Sequence, residues 1–339
     1  TPPPIKIGAF LAVTGPASFL GDPEAKTLRL YIERQNRLGG VLGRPLQLVL
    51  YDTGGAAPQA VTFARRLIED DKVDLIIGGS TTGETMAVVP VVTEAEIPFI
   101  SLAGAVVVVE PVKKWVFKTP HTDRMAVEMI FRDMKRDNLT NAAILGGAGG
   151  FDQSCRQQAK ELAPKMGITI VGDETYGPGD SDHTPQLTKI RGAAGVQAIV
   201  GCGFGDPTVI SARNFRQLGM TTRFYFNHGV GSQQFIDKSG GAAEGMRMPV
   251  AALLVADLLA DADPQKKVAQ EYARVYGEAY KEPISTFGGH AYDGLFLAID
   301  AMRRANSSDK ARVRDALEQT KGFIGADGIF NMSPSDTWA

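Results

Sequence analysis

The chain is poor in the residues that usually betray a reactive or metal site. Among its 339 residues there are two cysteines and four histidines. Cys155 and Cys202 show no close spacing and no metal pattern, and two free buried thiols fit them better than a disulfide. Cysteine usage therefore does not fix the compartment. His121, His183, His228 and His290 never fall three or four residues apart and no H-E-x-x-H occurs, so no metal centre is expected. An excess of charge of one sign is missing as well, with 36 Lys and Arg against 38 Asp and Glu. A net charge of −2 gives no electrostatic case for nucleic acid or an anionic membrane. No apolar run approaches the roughly 18 residues that span a bilayer, so no direct membrane insertion is expected. The longest, from Ala103 to Val109, reads as a buried strand or turn.

Catalytic fingerprints are also lacking. "GGSTT" at 78–82 nearly matches the nucleophile-elbow pattern G-x-S-x-G, but its fifth position is Thr82. "GGAGGF" at 146–151 resembles a dinucleotide loop, yet the position that needs the last glycine holds Asp152. No G-K-[ST] follows any glycine loop. Hydrolase, dehydrogenase and metalloenzyme readings are set aside, and the expectation is a non-enzyme without a cofactor.

What is present is an ordinary globular composition, 44% apolar and 22% charged, at a length that suits two domains. The start, Thr1-Pro2-Pro3-Pro4, lacks an initiator Met and fits a mature chain whose leader has been removed. Strands and helices then alternate. Ile5, Ile7, Ala9 and Leu11 give a period-two strand. A helix is expected from Asp22 as N-cap and Pro23 at its first position, ended by Gly39-Gly40. "RPLQLVLYD" reads as a strand. "APQAVTFARRLIED" reads as a helix with Val61, Ala64, Leu67 and Ile68 inward, and "VDLIIGG" and "IPFISLAG" as further strands. After "KWVFKTP" the pattern restarts through "NAAILGG", "ITIVGDETY", "VQAIVGCG" and "RFYFN", each after its own helix. From about 251 the chain is mostly helical, closing in Gly-rich short strands near "GFIGADGIF". The fold class is α/β, two doubly wound parallel-sheet lobes with direct crossovers near 119–121 and 247–250.

Within this pattern, Ser80, Thr81 and Thr82 stand between a buried strand and a helix expected to begin near Gly83. Ligands of open parallel sheets sit beyond the carboxyl ends of the strands, and "SLAGA" (101–105) lies at a neighbouring end. A helix N-terminus there offers N–H groups and partial positive charge to an anion, with two threonine hydroxyls as extra donors. The plain alternative is a single helix cap. Three hydroxyls where one would cap favour binding.

The segment "IKIGAFLAVTGPASFLGDPEAKTLRL", with "N-x-x-GGV-x-G-x-x-L", "GG-STTG", "IPFIS", "GGFDQS", "FRQLGM", "AAEGM" and "HAYDGLFLAIDAM", resembles the leucine/isoleucine/valine-type periplasmic solute-binding proteins of ABC transporters over almost the whole chain. The resemblance implies two lobes linked by three crossovers and closing on one ligand. The first lobe would hold 1–119 plus 250–325, and the second 120–249 plus 326–339. It also implies export to the periplasm, a membrane permease as partner and a monomer. The last residues, "SPSDTWA", stop sooner than the family does, so its C-terminal strand is expected to be cut short.

By the same resemblance, the ligand carboxylate falls to Ser80, Thr81 and Thr82 and to the turn of Ser101, Leu102, Ala103, Gly104 and Ala105, with the backbone of Ala103 and Ala105 contributing. The departures from the family are informative. Where amino-acid-binding members place an acid for the ligand ammonium, this chain has His228. Where they carry aromatic hydroxyls it has Phe151 and Phe204, and the first-loop tyrosine is matched by Leu20 beside Phe19. An ammonium without a carboxylate partner in a closed cleft costs several kcal/mol. The expectation is an aromatic or apolar monocarboxylate of benzoate type, its body among Phe19, Leu20, Phe151 and Phe204, with His228 near the carboxylate or a ring substituent. A branched-chain amino-acid or amide binder of the same family, or a ligand-sensing regulatory module, are the alternatives. For the residues themselves the plain readings are a solvated loop for His228, core packing for Phe151 and Phe204, and a helix cap for Asp123.

Overall fold

The computed structural model describes residues 2–338; Thr1 and Ala339, the outermost residues of the expected lobes, lie outside the described residues. The chain forms two compact units, one of residues 2–103, 107–120 and 251–338, the other of 104–106 and 121–250.

In the first unit β1 (Ile5–Leu11), α1 (Ser18–Arg37), β2 (Leu46–Asp52), α2 (Ala57–Glu69), β3 (Leu75–Gly78), α3 (Thr82–Ala95), β4 (Phe99–Ser101) and β5 (Val116–Lys118) follow one another. Their five strands make one sheet in the order β2-β1-β3-β4-β5, every pairing parallel. Alternation along the strands sorts side chains to two faces. Ile5, Ile7, Ala9, Leu11, Leu75 and Ile77 pack on one core, whereas Phe10, Ile76 and Phe99 pack on the other with α2 and α3.

The second unit repeats the plan with α4 (Asp123–Arg136), β6 (Asn141–Gly146), α5 (Gly150–Lys165), β7 (Thr169–Thr175), α6 (Thr184–Arg191), β8 (Ala198–Cys202), α7 (Asp206–Gln217), β9 (Arg223–Phe226) and α8 (Gln233–Ser239). Its four strands pair in parallel in the order β7-β6-β8-β9. The chain then returns to the first unit as α9 (Pro264–Tyr280), α10 (Thr286–Ala305), α11 (Lys310–Glu318) and the antiparallel pair β10 (Phe323–Ile324) and β11 (Ile329–Phe330). No expectation above covered α8, and α11 falls in the stretch expected only in general terms to be mostly helical.

Three expectations need correction. Helix α1 begins at Ser18 rather than at Pro23, which stands inside it, and Asp22 pairs with Lys26 at 2.9 Å instead of capping. The first turn lies against the exit of β1, so closely that a Cβ on Gly21 would come within 2.0 Å of the Ala12 carbonyl oxygen. No side chain caps the helix; the Gly15 carbonyl accepts the Ser18 N–H (3.1 Å) and the Ala17 carbonyl those of Leu20 (3.0 Å) and Gly21 (3.3 Å). On α2 the fully buried residues are Ala60, Ala64 and Leu67, with Val61 and Ile68 only half-buried.

Residues 326–338 group with the first unit rather than the second, and residues 104–106 with the second. Asp293 on α10 explains this. Its carboxylate accepts the N–H groups of Ala326 (2.6 Å) and Asp327 (3.0 Å). Phe330 and Met332 are then fully buried in the first unit's core. Trp338 donates its Nε1–H to the Thr119 carbonyl at 3.1 Å.

The cysteines are the third correction. Cys155 on α5 and Cys202 at the end of β8 form a disulfide with a Cα–Cα distance of 5.6 Å. They are 47 residues apart. The parallel pairing of β6 with β8, and the packing of α5 over both strands, bring them together.

Candidate functional site

In each sheet the strand order reverses direction at one point, between β1 and β3 in the first unit and between β6 and β8 in the second. At such a point neighbouring loops diverge and leave a crevice beyond the strand ends. The residues singled out by sequence cluster at these two places.

In the first unit the three hydroxyls have three different fates. Ser80 Oγ accepts from the Ala12 N–H (2.9 Å) and donates to Glu24 Oε1 (2.6 Å), which ties the exits of β1 and β3 to α1. Thr81 is the N-cap of α3, so the helix starts one residue earlier than expected. Its Oγ1 accepts from the Glu84 N–H (3.2 Å) and donates to Glu84 Oε2 (3.0 Å), while Glu84 Oε2 accepts from the Thr81 N–H (3.2 Å). This is a closed capping box, so the single proton of Thr81 is already committed. Thr82, the first helical residue, is 2% exposed, and its hydroxyl has no hydrogen-bond partner. An unpaired buried hydroxyl is costly, and of the three hydroxyls Thr82 alone carries that cost.

The adjoining turn is held from below. Ser101 Oγ lies 2.8 Å from Thr85 Oγ1 and accepts from the Ala103 N–H (3.1 Å), and the Leu102 N–H donates to the Gly78 carbonyl (3.1 Å). The Ala103 N–H is therefore taken up locally. Phe19 and Leu20 are nearly buried on α1, Phe19 edge-on to Phe287 at 5.9 Å. Glu24 and Glu84, which no sequence argument singled out, sit under this turn. Burial pushes the Glu24 carboxyl well above the ordinary range, against the opposing hydrogen bond from Ser80. Burial raises Glu84 too, against hydrogen bonds from Thr53 and Thr81.

The second unit brings rings together. Phe151, in the first turn of α5, meets Phe204 edge-on at 5.6 Å and His228 at 5.4 Å. Gly104 completes the group, since a Cβ there would stand 2.7 Å from His228 Nε2 and 3.0 Å from Phe151. Phe151 is buried, whereas Phe204 and His228 are half-buried. Ala105 is fully buried. The loop is fastened by Asp123, which is fully buried and is the first residue of α4, not its cap. It accepts from the Val106 N–H (2.9 Å) and the Ser154 hydroxyl, and its own N–H donates to the Gly104 carbonyl (3.0 Å). The cap is Thr122, which accepts from the Met125 N–H (3.2 Å).

Asp152 follows Phe151, and its Oδ2 accepts from the Gly147 N–H at 2.7 Å. Burial lifts its carboxyl to about 6, opposed by that hydrogen bond and by Arg156. Asp152 was noticed in the sequence only as a break in a glycine pattern. Among the described residues no cluster of three or more His, Cys, Asp or Glu could hold a metal ion, and no helix is long and apolar enough to cross a membrane.

Comparison with known proteins agrees with this architecture. Residues 4–337 match the family model described as periplasmic binding protein. A leucine-, isoleucine-, valine-, threonine- and alanine-binding protein of Pseudomonas aeruginosa is 25% identical over 330 residues, which cover 95% of this chain and 86% of the relative. An extracellular ligand-binding receptor from Rhodopseudomonas palustris HaA2 superposes with a TM-score of 0.92 at 25% identity, covering 99% of this chain and 94% of that one. A solute-binding protein of an ABC transporter from Rhodopseudomonas palustris BisB5, solved with 3,4-dihydroxybenzoic acid, gives a TM-score of 0.84 at 20% identity over 98% of this chain and 90% of that one.

Proposed function

Since the chain belongs to the periplasmic binding protein family and has its two-lobed type I fold, we propose that it is the extracytoplasmic solute-binding protein of an ABC importer for an aromatic or apolar monocarboxylate of benzoate type. The ligand's carboxylate is taken by the N-terminus of α3 with Thr82 as hydroxyl donor. Its ring is taken by Phe151, Phe204 and His228, in the interlobe cleft that the family resemblance implies. The protein captures, closes and hands its ligand to a membrane permease, making and breaking no bond.

The observation that carries this reading is the grouping of Phe151, Phe204 and His228 around Gly104 at the reversal point of the second sheet. It offers an apolar surface and an imidazole where an α-ammonium would need an ionised acid. The disulfide fits an oxidising compartment outside the cytoplasm.

A second reading, a branched-chain amino acid, is favoured by the curated relative and by Asp152 beside Phe151. Against it, Asp152 is buried and its Oδ2 already accepts from the Gly147 N–H. A thermal-shift panel of benzoates, phenylpropanoids, branched amino acids and dicarboxylates separates the two. A ligand present at about 100 times its dissociation constant adds about 2.7 kcal/mol. A shift with aromatic acids is expected. A shift with leucine or valine and none with any aromatic acid transfers the assignment to the amino-acid reading.

A further inference from the structure

The two rings of the candidate site stand beside glycine-rich segments, Phe151 in the first turn of α5 and Phe204 in the loop after β8. Phe151 follows Gly146-Gly147-Ala148-Gly149-Gly150, and Phe204 stands between Gly203 and Gly205. Glycine leaves the backbone its widest freedom, so such segments fix no ring separation by themselves. Yet the rings meet edge-on at 5.6 Å.

The disulfide lies where a constraint is needed. Cys155 is one helical turn beyond Phe151 on α5 and shares its face. Cys202 is the last residue of β8, two before Phe204. Both are almost fully buried, at 0% and 1% exposure, in the core between α4, α5 and the sheet. Arg156, next to Cys155, reaches the carbonyls of Gly147 (3.0 Å) and Gly146 (3.2 Å) and braces the same loop.

We propose that the Cys155–Cys202 bridge is a positioning device for ligand recognition. It clamps the first turns of α5 to the end of β8 and so sets the Phe151–Phe204 pair before any ligand arrives. Affinity is gained because the rings need not be ordered on binding. A chain whose two cysteines remain thiols is then a poorer binder than the same chain once bridged. The affinity part rests on the aromatic-acid reading above; the clamp itself does not.

The test compares Cys155→Ala/Cys202→Ala with Met134→Ala. Met134 is fully buried in the same core at the far end of α4, so its loss lowers stability without touching either loop. Two readouts are taken on each folded full-length chain. One is hydrogen exchange of residues 147–150 and 203–205 without ligand. The other is the dissociation constant of the aromatic acid that gives the largest thermal shift with the unaltered chain. The double variant is expected to exchange faster in both loops and to bind about tenfold more weakly, the effect of having to order two large side chains. Met134→Ala is expected to change neither by more than about twofold, a margin well inside one factor of ten. Should the alanine pair not fold, Cys155→Ala/Cys202→Val, which restores part of the lost volume, takes its place. Exchange and affinity that follow Met134→Ala overturn the proposal and leave the bridge a stability element. If no aromatic acid binds the unaltered chain, the ligand reading fails, and loop exchange alone decides the clamp.

Discussion

The two units solve one topological problem with opposite chemistry. Where β1 and β3 diverge in the first unit, the crevice is built from hydroxyls and carboxyls: Ser80 on Glu24, Thr81 on Glu84, Thr53 on Glu84. Where β6 and β8 diverge in the second, it is built from rings, with the disulfide buried in the adjoining core. The contrast shows that a row of polar residues at a strand exit is not yet a row of ligand donors. Local acceptors claim them first, and of the three hydroxyls only that of Thr82 is left unpaired. In the second unit the rings pack on one another, Phe151 against both Phe204 and His228.

The sharpest way to break this contrast is Thr82→Val, which keeps the side-chain shape and removes the unpaired hydroxyl. If that hydroxyl serves the ligand carboxylate, losing a hydrogen bond to a charged group costs about 1.5–3 kcal/mol, a rise in Kd of tenfold or more. The ligand-free melting temperature should hold or rise; calorimetric titration beside a melt checks both. An unchanged Kd returns the site to its local hydrogen bonds. Next comes Phe151→Leu, which keeps an apolar body but loses the ring. Aromatic pairing contributes about 0.5–1.5 kcal/mol beyond burial, so binding of an aromatic acid should fall several-fold while an aliphatic ligand loses less. Equal losses for both would make Phe151 ordinary core.

Thr81→Val should show the complementary pattern. Breaking the capping box should cost about 1 kcal/mol of stability with affinity nearly constant, and denaturant melts with and without ligand decide it. The smallest effect concerns pH. Burial holds Glu24 well above the ordinary glutamate range, so the folded chain binds that proton more tightly than the unfolded one. Its contribution to stability is complete in acid and is lost as pH rises from about 4.3 towards the raised value. Glu24→Gln keeps an acceptor for Ser80 and removes the titration. Its stability should therefore fall less steeply than that of the unaltered chain over this range, and parallel melts from acid to neutral pH would show equal slopes if Glu24 were not involved.

Much of the fold was legible because parallel strands buried on both faces leave unmistakable apolar runs, as in Leu75-Ile76-Ile77 and Ala198-Ile199-Val200. The start of α1 was not, because no side-chain cap marks it and backbone carbonyls of Gly15 and Ala17 take its first N–H groups. Nor was the home of residues 326–338, which depends on Asp293 reaching two N–H groups more than 30 positions away. In the site, Phe151, Phe204, His228 and Gly104 could be named from sequence, but Glu24, Glu84 and Asp152 could not. A buried acid has no local pattern, only partners.

By itself, then, the sequence determined the alternation of strands and helices, the strand exits and the residue types that stand there. Those follow from local periodicity and from backbone preferences that act over a few residues. Only the tertiary structure decided which hydroxyl is left unpaired, which cysteines join and which carboxyls burial raises above their ordinary range. Each of these depends on groups far apart in the chain competing for the same atoms once water has been removed.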